Sequence, residues 1–261
     1  MPETATRRVP AAGAMTLSES QGVRYLHFGT EWVQGAMRLA QPFRLELEYQ
    51  QHMMAPLLFE PKPERVLQLG LGAAALTKFC YRHLGARQIL AVDIDPMVIG
   101  VARQWFALPQ NDARLCVLQA DARAFLRRSP ARTDWLHVDL YDAQARGPVY
   151  DDVGFYRACR AALRDGGIGV FNLFGRSLSP SLAAISAAFG RRWLRMPRTA
   201  QGNHVVLAFA GTPVPCDGDV LHRRAQTLER RFGWPARAWL REMRGATGRR
   251  LGLDSGSRMI L

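Results

Sequence analysis

Lysine is nearly absent from this 261-residue chain: of its 35 basic residues only Lys62 and Lys78 are lysines. A net charge of +13 invites a nucleic-acid reading. The arginine excess, alongside abundant alanine, instead has the look of coding bias in a GC-rich genome, and the basic residues are spread along the chain. A basic pI alone supports only non-specific attraction, so a nucleic-acid partner is not expected. Cysteine is scarce too. Cys80, Cys116, Cys159 and Cys216 are scattered and form no CxxC, which argues against a disulfide framework or a zinc site and for a reducing cytoplasm. No window holds the roughly 18 apolar residues of a membrane span. The arginines between Met1 and Gly13 are followed by no apolar stretch, so neither a membrane nor a secretion signal is expected. With 48% hydrophobic residues the composition is globular, and the length suits one α/β domain with additions.

The stretch from Arg65 to Asp95 organises the rest. Val66, Leu67 and Leu69 form a short apolar run, as in a buried parallel strand, that stops at Gly70. Gly70 and Gly72 permit a tight turn and close approach of a ligand to the backbone. Leu76, Phe79, Cys80 and Leu84 then recur at helical spacing. A second apolar run, Ile89 to Val92, ends at Asp93, about 20 residues past the glycines, near the interval at which an acid meets ribose hydroxyls in nucleotide folds. The dinucleotide fingerprint lacks its third glycine, because Ala73, Ala74 and Ala75 follow Gly72. That favours a nucleoside without phosphates, such as an S-adenosyl ligand, over a pyrophosphate. The alternative is a bare strand–helix turn of any doubly wound sheet.

Taken in order, residues 1–13 read as a loose tail. Gly22–Phe28 and Trp32–Met37, split by Gly29-Thr30-Glu31, read as a β-hairpin. Pro42 to Met54 reads as a helix with Leu45, Tyr49 and Met53 on one face, and Pro56, Pro61 and Pro63 then break the chain. Strands and helices alternate from there: a helix from Pro96, strands at Leu115–Leu118 and Trp135–Leu140, a helix at Phe155–Leu163, a turn at Asp165-Gly166-Gly167, a strand at Ile168–Phe174 and a helix at Pro180–Phe189. Arg192–Leu194 and Val205–Phe209 can close the sheet. This pattern predicts an α/β, Rossmann-like doubly wound parallel sheet of the class I methyltransferase type, with an N-terminal β-hairpin extension and a C-terminal basic helix. The expected division is 1–60 for tail, hairpin and helix, 61–213 for the nucleoside-binding catalytic domain, and 214–261 for a basic helical extension. In that extension nine arginines face two acids between Leu221 and Arg250, and Leu221, Ala225, Leu228 and Phe232 form an apolar stripe.

Ligands of such sheets sit at the carboxyl ends of the strands. Gly70, Asp93, Asp121, Asp139 and Asp142 all fall there. A strand-end carboxylate is often only a helix cap, but Asp139 and Asp142, three residues apart, could attract a cation and accept its proton.

The order hairpin, Gln34, Glu48-Tyr49, Arg65-Val-Leu-Gln-Leu-Gly-Leu-Gly72, Ala91-Val-Asp-Ile-Asp95, Gln119-Ala-Asp121, Val138-Asp-Leu-Tyr-Asp142 and Gly166-Gly167 resembles the spermidine synthase (polyamine aminopropyltransferase) family over about Val23 to Ala210, and within it the bacterial spermidine-synthase-like proteins. The resemblance implies a transferase of polyamine biosynthesis. Decarboxylated S-adenosylmethionine would be its co-substrate, an amine or polyamine its acceptor, and no metal would be needed. Asp93 would hold ribose, and Asp121 with Ala122 would contact adenine. Asp139 would be the general base, Asp142 and Tyr49 would hold the amine, and Gln34 would line the cleft. A homodimer is compatible with this picture.

Three departures bear on the acceptor half. The family's loop aspartate is Ala73 here, its Tyr-His-Glu is Tyr49-Gln50-Gln51, and Ala143-Gln-Ala-Arg precedes Gly147-Pro148 as an apparent insertion. Glu46 or Glu48 could stand in for the missing acid. Two other readings stay open: a class I methyltransferase using S-adenosylmethionine, and a nucleoside-binding module that has lost catalysis.

Overall fold

The computed structural model describes residues 7–10, 15–29, 33–128, 132–141, 148–175, 177–212, 215–250 and 258–260. The chain opens with an antiparallel sheet of β1 (Arg7–Pro10), β2 (Met15–Ser20), β3 (Val23–Phe28) and β4 (Gly35–Arg38), in that order. Two expectations change here. The hairpin is the second half of a four-stranded sheet, and part of the expected loose tail is β1, whose Arg7–Pro10 pairs with Glu19–Thr16 of β2. Strand pairing satisfies backbone groups whatever the side chains, so a strand of this kind leaves no hydrophobic pattern to read.

The helix expected over Pro42–Met54 is shorter. Only α1 (Glu48–Met53) is helical, followed by a 3₁₀ turn at Ala55–Leu58. The preceding segment is held outside the helix by the Arg38–Glu46 ion pair and by Gln51 Nε2 donating to the Leu45 carbonyl at 3.3 Å. Leu45 is nonetheless buried, so its apolar character reports packing, not helical phase.

The alternating elements follow: β5 (Arg65–Leu69), α2 (Ala75–His83), β6 (Gln88–Asp93), α3 (Pro96–Trp105), β7 (Leu115–Gln119), α4 (Ala122–Arg128), β8 (Thr133–Val138), α5 (Val153–Ala162), β9 (Leu163–Leu173), α6 (Ser179–Phe189), β10 (Trp193–Arg195) and β11 (His204–Phe209). After β12 (Pro215–Asp217) come α7 (Gly218–Phe232), α8 (Ala236–Glu242), β13 (Arg244–Gly245) and β14 (Arg258–Ile260). The central sheet runs β13-β10-β11-β9-β8-β5-β6-β7. Its pairs from β9 to β7 are parallel, while β11 is antiparallel to β9 and β10, so the sheet is mixed. Leu163, expected in the helix, already pairs with Thr133, and a register shift absorbs Asp165-Gly166-Gly167 inside β9.

Side chains alternate across the sheet. Val66, Ile89, Trp135, Ile168 and Val205 enter the core that packs α1, α2, α3, α7 and α8. Leu67, Val92, Leu136, Phe171 and Val206 enter the core under α4, α5 and α6. Burial of both faces explains why the parallel strands read as continuous apolar runs. In α7, Leu221, Ala225 and Leu228 are buried, as their stripe implies. Asp217 caps its first turn through Asp219 and Val220 N–H groups, and Gly233 closes it in the left-handed conformation.

Candidate active site

The loop after β5 brings three strand ends together. Gly70 adopts φ +94° and Gly72 φ +49°, conformations that strain any side chain. The Gly70 N–H donates to the Val92 carbonyl at 2.8 Å, and a Cβ on Gly70 would overlap the Asp139 carbonyl oxygen. Glycine at 70 thus lets β5, β6 and β8 converge. Ala74 follows at φ 55°, fully buried, as the N-cap of α2.

A cleft of about 770 Å³ opens over this loop at the carboxyl edge of the sheet. Gln34, Tyr49, Gly70, Gly72, Asp93, Asp121, Ala122 and Asp139 all line it. Asp142 and the apparent insertion at 143–146 lie outside the described residues. Among the described residues no group of three or more His, Cys, Asp or Glu side chains is placed to hold a metal ion, and no helix is long and apolar enough to cross a membrane.

Asp93, at the end of β6, accepts the Leu71 N–H on Oδ2 at 2.8 Å and the Asp95 N–H on Oδ1 at 3.0 Å. Burial pushes its carboxyl above the usual range, and those backbone donors oppose the shift. The Gly72 N–H is a further backbone donor to the same carboxylate. Asp95 itself caps α3 through the Met97 N–H at 2.8 Å.

Asp121, between β7 and α4, accepts the Ala124 N–H at 2.7 Å and the Tyr150 hydroxyl. Burial works against its charge, but Tyr150, the Ala124 N–H and the nearby Arg123 and Arg127 hold its pKa below the usual value. Tyr150 reaches over from the segment before α5, and nothing in the sequence marked it.

Asp139 follows β8. Its parity with Trp135 and His137 turns it to the α1 face, where the Tyr49 hydroxyl meets it. Asn172 Nδ2 donates to Asp139 Oδ1 at 2.8 Å, and Asn203 Nδ2 donates to Asn172 Oδ1 at 3.1 Å. Tyr141 donates its hydroxyl proton to the Asn172 carbonyl at 3.0 Å. Burial raises the Asp139 pKa above the usual carboxylate range, against the opposing hydrogen bonds of Asn172 and Tyr49. Burial, then the negative charge of Asp139, drives both Tyr49 and Tyr141 well above the ordinary tyrosine value, so both stay protonated donors. Sequence reasoning missed Asn172, Asn203 and Tyr141. Asn172, a lone amide closing the apolar run Ile168–Phe171, was the one legible signal.

Beneath Asp139 lies a second polar layer. His137 Nε2 faces the Met53 carbonyl at 3.1 Å, and the Thr77 hydroxyl donates to Gln68 Oε1 at 2.6 Å. Neither Glu46 nor Glu48 replaces the acid missing at position 73. Glu46 pairs with Arg38, Glu48 Oε2 accepts the Ala200 N–H at 2.8 Å, and neither lines the cleft. Ala73 is buried with its Cβ against Gly35 of β4, so the N-terminal sheet abuts the loop there.

A sheet with β5 central and carboxylates gathered at its carboxyl edge has the α/β, Rossmann-like architecture of the class I methyltransferase type. The particular family follows from comparison with known proteins. Residues 46–173 match the model of the spermine/spermidine synthase domain. The polyamine aminopropyltransferase of Chromobacterium violaceum is 33% identical over 87% of this chain and 89% of its own length. The crystal structure of spermidine synthase in complex with the transition state analogue AdoDATO shares the fold, with a TM-score of 0.65 over 89% of this chain and 84% of that one, at 16% identity. Human methyltransferase-like protein 13 in complex with SAH aligns at a TM-score of 0.64, with 25% identity over 73% of this chain and 94% of that one. The chain belongs to the spermine/spermidine synthase family.

Proposed function

We propose that this protein is an aminopropyltransferase of polyamine biosynthesis, moving the aminopropyl group of decarboxylated S-adenosylmethionine to an acceptor amine in the cytoplasm. The observation that carries this reading is the half-buried Asp139, which lines the cleft with Asp93 and Asp121 and accepts hydrogen bonds from Asn172 and Tyr49. Asp93 takes the ribose hydroxyls, and Asp121 with Ala122 borders the adenine. Gly70 and Gly72 let the nucleoside lie close to the loop, and Gln34 closes the cleft from the N-terminal side.

Asp139 accepts a proton from the ammonium form of the acceptor, with Asp142 assisting. The freed nitrogen lone pair attacks the aminopropyl carbon attached to the sulfonium. A C–N bond forms, the C–S bond breaks, and its electron pair goes to sulfur, leaving neutral methylthioadenosine. A carboxylate whose pKa is raised by burial is a stronger base than one in water. Alignment of amine, carbon and sulfur supplies a further large share of the acceleration.

The match to a methyltransferase over most of its length favours one second reading, methyl transfer from S-adenosylmethionine. Calorimetric titration with methylthioadenosine and, separately, S-adenosylhomocysteine separates the two. Tighter binding of methylthioadenosine, with aminopropyl transfer to an amine, is expected. Tighter binding of S-adenosylhomocysteine with no aminopropyl transfer would replace the proposal with methyl transfer.

A further inference from the structure

The turn between β10 and β11 is tied down at several points. Thr199, itself buried, donates its N–H to the Asn203 carbonyl at 3.0 Å and accepts the Asn203 N–H on its hydroxyl at 2.9 Å. Gly202 closes the turn at φ +97°, with its N–H on the Thr199 carbonyl at 2.9 Å. Ala200 donates its N–H to Glu48 Oε2 at 2.8 Å, which joins the turn to α1, the helix that carries Tyr49. Val205 of β11 pairs with Asn172 of β9. Asn203, two residues earlier, stands on the same face as Val205, and there its side chain meets that of Asn172.

Hydrogen count fixes the direction of these contacts. The ionised Asp139 carboxylate offers only acceptors, so Asn172 gives it a hydrogen from Nδ2. That leaves Asn172 Oδ1, on a buried side chain, in need of a donor, and Asn203 Nδ2 supplies it at 3.1 Å. Tyr141 spends its proton on the Asn172 carbonyl, so its oxygen accepts from the Asn203 side chain as well. Donation therefore runs one way, from Asn203 through Asn172 to Asp139, and each bond polarises the next. Turned by 180°, the Asn172 amide would set its oxygen against the carboxylate and its NH2 against that of Asn203. Among the described residues no other donor reaches Asn172 Oδ1.

We propose that Asn203 is a positioning residue for the proton acceptor: it holds the Asn172 amide with its NH2 on Asp139, and so sets the orientation of the carboxylate that meets the amine. The inference rests on the aminopropyl-transfer reading and gives the β10–β11 turn a part in that chemistry. The titratable groups that face Asp139 are Tyr49 from α1 and Tyr141 from its own segment, both held protonated. From β9 and the β10–β11 turn come only the amides of Asn172 and Asn203, and Asp93, Asp95 and Asp121 line the same cleft. No lysine, arginine or histidine lines it among the described residues, so hydrogen bonds alone oppose the effect of burial on Asp139.

The test is the pH profile of kcat for aminopropyl transfer from decarboxylated S-adenosylmethionine to putrescine, cadaverine or spermidine, whichever turns over fastest, in Asn203→Ala, Asn203→Asp and Asn203→Gln. Asn203→Ala should lose roughly 3- to 10-fold in kcat, the worth of one neutral hydrogen bond, with methylthioadenosine affinity unchanged. A loosened donor favours the ionised base less, so the acid limb of the profile should move up by roughly half a pH unit to one unit. Asn203→Asp, which sets a carboxylate against Asn172 Oδ1, should move it further. Asn203→Gln keeps an NH2 group and should recover part of both effects. Methylthioadenosine titration reports that each variant is folded. A merely structural role would lower kcat and leave the limb in place, so limbs that coincide with the wild type in the alanine and aspartate variants overturn the inference and leave the transferase reading standing. No transfer by the wild type to any of the three amines, with S-adenosylhomocysteine bound more tightly than methylthioadenosine, overturns both.

Discussion

The two halves of the cleft are built on different principles. In the half proposed for the nucleoside, backbone N–H groups do much of the holding: Asp93 takes one from Asp95 in its own turn and one from Leu71 in the loop after β5, and Asp121 takes that of Ala124 in its own turn beside the Tyr150 hydroxyl. Backbone donors set much of their geometry, whatever side chains the donor residues carry. In the acceptor half, Asp139 is held by side chains from far along the chain, Asn172 of β9 and Tyr49 of α1, with Asn203 behind them. A site held by backbone donors tolerates side-chain substitution in the donor segments. A site assembled from distant side chains can change its ligand through a few substitutions. The departures from the spermidine synthase pattern, Ala73 and Gln50, bear on the polyamine half.

The sharpest way to break this division is Asp139→Asn. Turnover should fall by roughly 100- to 10,000-fold, the usual range for a lost general base, with methylthioadenosine affinity retained; comparable turnover would remove Asp139 from the chemistry. The layer beneath the acceptor half should show next, in acid. Burial depresses His52 and His137 to about 4, below the unfolded value near 6.5. Between those values the unfolded chain binds protons that the folded chain does not, so stability is fully present above about 6.5 and is lost as pH falls towards 4. The loss is of order 3 kcal/mol per histidine, measurable as a falling urea midpoint in the wild type that is reduced in His137→Gln. In the nucleoside half, Asp93→Ala should weaken methylthioadenosine binding by roughly 1.5–3 kcal/mol, and an unchanged calorimetric affinity would refute the ribose contact. The smallest effect belongs to the loop between the halves. Ala74→Gly should stabilise the protein by about 1 kcal/mol, since alanine at φ 55° is strained, and thermal melting would register it.

The gathering of Gly70, Asp93 and Asp121 at the cleft was readable because each signal is contiguous. An apolar run ending at Gly70 and another ending at Asp93 place their tips at one sheet edge once strand–helix alternation is accepted. Asp121 was found for the same reason. Tyr150 and Asn203 were not, because each meets its partner from another segment, with no spacing that links them. Leu45 misled the reading of α1 by being buried in an irregular segment, and β1 escaped it because backbone pairing leaves no side-chain pattern.

The sequence by itself determined the sheet's composition, its carboxyl-edge acids and the Gly70 turn, since period and turn chemistry are local properties of the chain. Tertiary structure decided which face each acid meets, that Asn172 and Tyr49 converge on Asp139, and that β11 turns antiparallel. Those outcomes depend on strand order and packing, which bring together residues that no sequence spacing relates.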